Sequence, residues 1–359
     1  MKDNFRSRLH KEIMFLFELK KTERLWHIPV LASLCVGLPL LIGYYFDKLD
    51  YGILSCMAGL VILYLPSTTL ARRMITLLAC SFGFMISFAI GISFSFNPIF
   101  SSIVLGLFAG AVYLVVNYFG MKPPGSFFFI MIASIASCMP FDLMTIPTRV
   151  GLIGMGAMLA CFLAFFYSLY ITKKSPQKSE LIVVKRKYYA TLFEALIVGF
   201  FIFLSLLAGH LLQLENPYWL PISCAAVMQG ASFQHIWQRS FQRILGTFIG
   251  LGLAWLLLLL KMTPLTICIS IMVLQFIIEM LIGRHYGLAV IFITPLTLFL
   301  AEAGSAMTVD PTTLISVRFM DILLGSVIGA IGGWFLHHEQ FRHKAERQIR
   351  KTRVHVLRK

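Results

Sequence analysis

The 359-residue sequence predicts an all-helical, polytopic membrane protein with about twelve transmembrane helices in two parallel six-helix repeats. Three observations predict this: a composition too apolar for water, a succession of uncharged runs of bilayer-crossing length, and a self-similarity of the chain at an offset of 167 residues. Hydrophobic residues make up 58% of the chain, charged residues 13%, and the mean hydropathy is +0.82. A soluble domain carries roughly 25% charged residues, and a helix crosses the hydrocarbon core with about 20 apolar residues.

Taken in order, residues 1–27 form a basic segment whose Phe5, Leu9, Ile13, Phe17 and Leu25 lie among lysines and arginines. Such a pattern suits a cytoplasmic amphipathic helix on the inner leaflet. Its longest apolar run, Ile13 to Phe17, is too short for the core of a cleavable signal peptide. The first membrane repeat, 28–171, holds apolar segments at about 28–46, 51–66, 72–94, 99–119, 125–140 and 147–171. A polar, basic cytoplasmic linker follows at 172–191. The second repeat, 192–336, holds segments at about 192–213, 218–232, 241–260, 264–282, 286–302 and 313–336, and a basic cytoplasmic tail occupies 337–359. Turn residues separate the segments, among them Asn97-Pro98, Pro123-Pro124-Gly125, Asn216-Pro217 and Asp310-Pro311. All seven cysteines fall inside apolar runs with no CxxC or Cys/His metal spacing, so they are expected as core thiols without disulfides or metal.

Orientation follows from the lysines and arginines, because cytoplasmic loops carry their excess. With the N-terminus inside, 27 of the 31 fall on the cytoplasmic side, leaving Lys48, Arg149, Lys261 and Arg318 elsewhere. This places the protein in an inner, cytoplasmic membrane with both termini cytoplasmic. The net charge of +15 is then matched by anionic lipid, and nucleic acid is not needed as a partner.

The offset of 167 superposes Tyr51 on Tyr218, Arg72 on Arg239 and Gly83 on Gly250; a two-residue slip then brings Arg149 onto Arg318 and Gly156 onto Gly325. Arginine in or beside a span is scarce, so the two arginine pairs carry the argument for duplication. Six spans per half leave both halves entering from the same side, related by an axis along the membrane normal.

The second half carries Pro217-Tyr218-Trp219-Leu220-Pro221-Ile222-Ser223, then Gln229, then Arg239-x3-Arg243-x2-Gly246-Thr247 with Gly250 beyond, and closes on Arg318-x2-Asp321-x3-Gly325. Over about 210–335 this resembles the fusaric acid resistance family of membrane proteins. In the first half Tyr51, Arg72 and Gly83 persist, whereas Trp219, Pro221 and Arg243 are matched by Gly52, Leu54 and Thr76, and Asp321 by an apolar residue. The resemblance implies efflux of aromatic carboxylic acids, with the plant malate channels as distant relatives. Larger members carry a cytoplasmic domain where this chain has about fifteen residues, so a role tied to that domain is not implied here.

Several residues suit a pathway for a small organic anion. Arg239 and Arg243 lie one helical turn apart on one face, and with Arg72 across the pseudo-twofold axis they would attract a carboxylate through a planar guanidinium fork; the competing reading is an interfacial anchor. The segment with Pro221, Ser223 and Gln229 is short and proline-broken at a place matched by 51–66, a pattern that points to a midplane binding site. Its competing reading is a tilted span with Tyr218 and Trp219 in the outer aromatic belt. Arg149 either faces an anion or snorkels outward. Arg318 and Asp321 are expected either as a structural ion pair or as a proton-coupling site, and Glu279 either pairs with an arginine or carries a proton. No nucleophile elbow, phosphate-binding glycine loop or metal cluster appears, so neither an enzyme nor a cofactor is expected. The expected function is secondary, proton-coupled export of small organic anions, aromatic acids among them. A passive anion channel and a non-transporting membrane scaffold are the alternatives, and a periplasmic adaptor or a second copy of the chain stays open as a partner.

Overall fold

A computed structural model describes residues 25–174, 188–230, 232–259, 263–302 and 311–338. The amphipathic N-terminal segment, most of the linker and the basic tail lie outside the described residues. Among the described residues there are twelve helices and no strand. They are α1 (His27–Tyr45), α2 (Leu49–Gly59, extended by a 3-10 turn over Leu60–Tyr64), α3 (Leu70–Ser93), α4 (Pro98–Tyr118), α5 (Phe127–Ser137) and α6 (Ile146–Lys174). The second set is α7 (Tyr188–Leu211), α8 (Trp219–Met228), α9 (Phe233–Leu258), α10 (Pro264–Leu281), α11 (Tyr286–Glu302) and α12 (Pro311–His337).

Local chemistry sets several starts. Asn97 accepts the backbone N–H groups of Ile99 and Phe100, with Pro98 in the first turn of α4. Thr263 and Pro264 open α10 in the same manner, and Ser232 accepts the N–H of His235 to open α9.

Among the described residues, eight of the twelve helices are long and apolar enough, by length and composition, to span a bilayer. The four shorter ones, α2, α5, α8 and α11, are the second and fifth helix of each set of six. At about 1.5 Å per residue a ten-residue helix such as α8 rises only about 15 Å, half the hydrocarbon thickness. Burial in protein makes such a segment tolerable: all ten residues of α8 are buried, so its ends meet protein groups rather than lipid tails. The periodicity of apolar runs could not separate a buried half-length helix from a spanning one.

The neighbour pattern recurs. In the first six, α1 packs on α2, α2 and α3 pack on α6, and α5 packs on both α3 and α4. In the second six, α7 packs on α8, α8 and α9 pack on α12, and α11 packs on both α9 and α10. Glycines permit the closest of these approaches. A Cβ on Gly325 of α12 would lie 2.6 Å from the Leu220 carbonyl oxygen of α8, and one on Gly156 of α6 would collide with the Ser55 carbonyl of α2. The two sets meet along two seams, α4 against α7 and α1 against α10, with α5 touching α8 between them.

The usual soluble pattern is inverted. On α9 the large apolar Trp237, Phe241, Phe248 and Trp255 are exposed, whereas Gln242, Arg243, Thr247 and Gly250 are buried. On α3, Ile75, Leu78 and Phe82 face outward while Arg73, Ser81 and Ser87 are inside. Lipid is the solvent for the outer face, and polar groups gather where protein surrounds them.

Candidate functional site

Between the two sets lies a cavity of about 2630 Å³, walled by α1 to α6 from one and by α8 to α11 from the other. Its charged lining is mostly cationic: Arg72, Arg73, Lys122, Arg149, Arg239 and Arg243 against Asp50 and Glu279. Drug-sized ligands occupy roughly 300–1,000 Å³, so this space is a vestibule as well as a pocket.

The most elaborate part of the wall is built on α9. Capped by Ser232, the helix places Arg239 and Arg243 about 9 and 15 Å along its axis from Phe233, on the face turned inward. Arg243 is buried and donates to the hydroxyl of Tyr286 at 3.1 Å and to Oγ of Ser223 at 3.1 Å. Its third nitrogen, Nε, is buried without a hydrogen-bond partner. The Arg239 guanidinium lies over the Tyr286 ring, 4.4 Å from its centroid. Tyr286 is held at the start of α11, where the Nδ1 of His285 accepts the N–H of Leu288 and so closes the first turn. Two guanidinium groups thus share one phenol. Hydroxyls are neutral acceptors, so they satisfy the geometry of Arg243 while leaving its charge for something else to offset.

Of the residues expected in the pathway, Arg72, Arg149, Gln229, Arg239 and Arg243 line the cavity, as does Glu279. Ser223 stands behind Arg243, and Pro221 is buried within α8. Gln229 donates through its amide to the Pro124 carbonyl at 2.8 Å, while Tyr64, at the end of α2, donates to the Gly125 carbonyl at 2.7 Å. The ends of α2 and α8 therefore both fasten to one turn. Glu279 accepts from Gln275 at 3.3 Å on the same helix. Arg149 donates to the Pro140 carbonyl at 3.2 Å near the opposite end of the chamber.

Arg318 and Asp321 are both buried on α12 and do not pair with each other. Arg318 instead stacks on the Trp219 ring, with its guanidinium carbon 3.1 Å from the centroid, and donates to Oγ1 of Thr297 at 2.7 Å. Trp219 is consequently only 7% exposed, inside the protein rather than in a lipid-facing aromatic belt. Both Asp321 carboxyl oxygens are buried without a hydrogen-bond partner.

Sequence reasoning did not find Tyr286, Thr297, Arg73 or Gln275. Tyr286 and Thr297 are ordinary residues of an apolar segment, and only the tertiary crossing of α9, α11 and α12 gives them arginine partners. Arg73 could have been found, since it adjoins Arg72; it is the buried member of that pair.

These features define a polytopic helical membrane protein with a cation-lined internal chamber. Residues 201–332 match the family described as fusaric acid resistance protein-like. The uncharacterized membrane protein YvaC of Bacillus subtilis (strain 168) is 36% identical over 145 residues, which cover 40% of this chain. The chain spans 23% of the length of that curated relative. No solved structure matches.

Proposed function

We propose that the protein moves small organic anions across the cytoplasmic membrane as a secondary, proton-driven exporter, with aromatic carboxylates as the substrate class to try first. The observation that carries the reading is Arg243: a buried guanidinium on the wall of a large chamber, hydrogen-bonded only to neutral hydroxyls, with Nε unpartnered. A buried cation without an offsetting charge is costly, and an entering carboxylate lowers that cost while gaining charge-assisted hydrogen bonds. Arg239, stacked on Tyr286, supplies a second positive group one turn closer to the start of α9. Shorter helices at corresponding places in both sets, one of them buried throughout, support the reading, because such breaks accompany midplane sites in transporters. The match of residues 201–332 to a family described as fusaric acid resistance protein-like supports it as well.

In this scheme both termini face the cytoplasm, anionic lipid contacts the basic segments, and no catalytic step occurs. The test is uptake of radiolabelled benzoate-type acids by proteoliposomes with and without an imposed pH gradient. Gradient-stimulated flux that Arg243→Gln abolishes is the expected result. Flux indifferent to the gradient but lost in Arg243→Gln would mark a channel. No flux above protein-free vesicles would leave a membrane scaffold.

A further inference from the structure

Asp321 is the least comfortable group in the molecule. It is fully buried, about 15 Å along α12 from Pro311, and neither carboxyl oxygen has a hydrogen-bond partner. Its nearest cation by sequence, Arg318, sits three residues away on the same helix, the spacing at which side chains meet. Yet Arg318 is turned to Trp219 of α8 and Thr297 of α11. An ionised carboxylate in this position would be an unpaired buried charge beside a guanidinium engaged elsewhere. Taking a proton removes that cost, since a buried group without a partner neutralises rather than stay charged.

Other charged and titratable groups do not supply the missing partner. Around α12, the helix α8 offers no charged side chain, and α9 offers Arg243, bonded to Tyr286 and Ser223. The turn before α8 offers Glu215 and Tyr218, and α7 offers Glu194, bonded to Tyr113, and His210 near its far end.

We propose that Asp321 carries its proton in this conformation, and that releasing it draws Arg318 off Trp219 and Thr297 into an ion pair on α12, freeing the start of α8. In the release step the O–H bond of the carboxyl breaks, the proton passes to water, and the electron pair stays on the carboxylate. Arg318 then has two stations. In the one seen here it ties α12 to α8 and α11; in the other it is satisfied within α12. Because α8 also carries Ser223, the hydroxyl that holds Arg243, the proton on Asp321 and the posture of the anion site are connected through one ten-residue helix. Arg318 and Asp321 are positioning residues in this account, not substrate ligands. Their link to flux rests on the anion-transport reading above, whereas the protonation state does not.

The test uses the full chain in nanodiscs, followed by infrared spectroscopy and Trp219 emission across a pH titration. The carbonyl stretch of a protonated carboxyl is expected near neutral pH, absent in Asp321→Asn and shifted in frequency in Asp321→Glu. Raising the pH should remove this band together with a change in emission that Trp219→Phe and Arg318→Leu both eliminate. The absence of any such band at every pH, or its loss with Trp219 emission unmoved, would overturn the proposal. An unfolded Asp321→Asn with no shifted band in a folded Asp321→Glu would overturn it too, because the carboxylate would then be a structural charge. Lack of anion flux in wild-type vesicles would sink the transport reading alone, since the two spectroscopic signals decide Asp321 independently.

Discussion

The two sets of six helices share a packing plan but differ in their chemistry. The second and sixth helices meet at a glycine in both, Gly156 against Ser55 and Gly325 against Leu220, and the shorter helices fall at the same two places. In the second set two arginines, Arg239 and Arg243, meet Tyr286, where the offset of 167 gives Arg72, Thr76 and Phe119. Likewise Arg318 finds Trp219 and carries Asp321 beside it, whereas Arg149 finds the carbonyl of Pro140. The two sets keep the close approach of their backbones and differ where side chains face the chamber between them.

The largest effect should come from the scaffold, and it should be equal in both halves. Gly156→Val and Gly325→Val each drive a side chain into a neighbouring backbone, so both should abolish a monodisperse peak in detergent chromatography; overpacking costs typically about 1–3 kcal/mol, and backbone obstacles yield least. Gly252→Val, where a Cβ meets nothing within 4 Å, should behave as wild type. A tolerated Gly156→Val would break the equivalence of the halves.

Next comes the asymmetry of the site. Arg243→Gln should weaken anion uptake by about 10- to 100-fold, the loss of one or two charge-assisted contacts, with expression and insertion unchanged. Arg72→Gln should cost less than 10-fold, because Thr76 stands at the offset where the second half has Arg243. Equal losses would move the site to the symmetry axis. Lysine at 243 keeps the charge but loses the planar fork, so its affinity should fall between the two.

Smaller still is the aromatic partner of Arg318. Trp219→Leu removes a cation–π contact that is worth about 2 kcal/mol when desolvated, and it should lower the melting temperature in scanning fluorimetry. The smallest change is expected for Gln229→Leu. It deletes one hydrogen bond to Pro124, worth about 1 kcal/mol, and should show as faster backbone exchange in residues 122–126 with little change in melting.

Much of the fold was legible because lipid imposes simple rules. The segments expected at 264–282 and 286–302 fall within a residue of α10 and α11, since Pro264 and the Gly283-to-His285 turn mark their boundaries. The segment expected at 218–232 proved to be a ten-residue helix, because an apolar run says that a stretch avoids water without saying whether lipid or protein replaces it. For the site, the i, i+4 arginines of α9 were readable from spacing alone. Their tyrosine was not, since it lies 43 residues beyond Arg243 and only the contact of α9 with α11 brings it near. Spacing misled at Arg318 and Asp321: i, i+3 made an ion pair available, and a better aromatic and hydroxyl environment across the helix boundary took the guanidinium instead.

The Pro124-Gly125 turn, held by Tyr64 from one half and Gln229 from the other, gives the molecule a single abutment. The short helices α2 and α8 both end on it, through two adjacent carbonyls. Neither helix can shift along its axis without lengthening a hydrogen bond to one of two adjacent carbonyls.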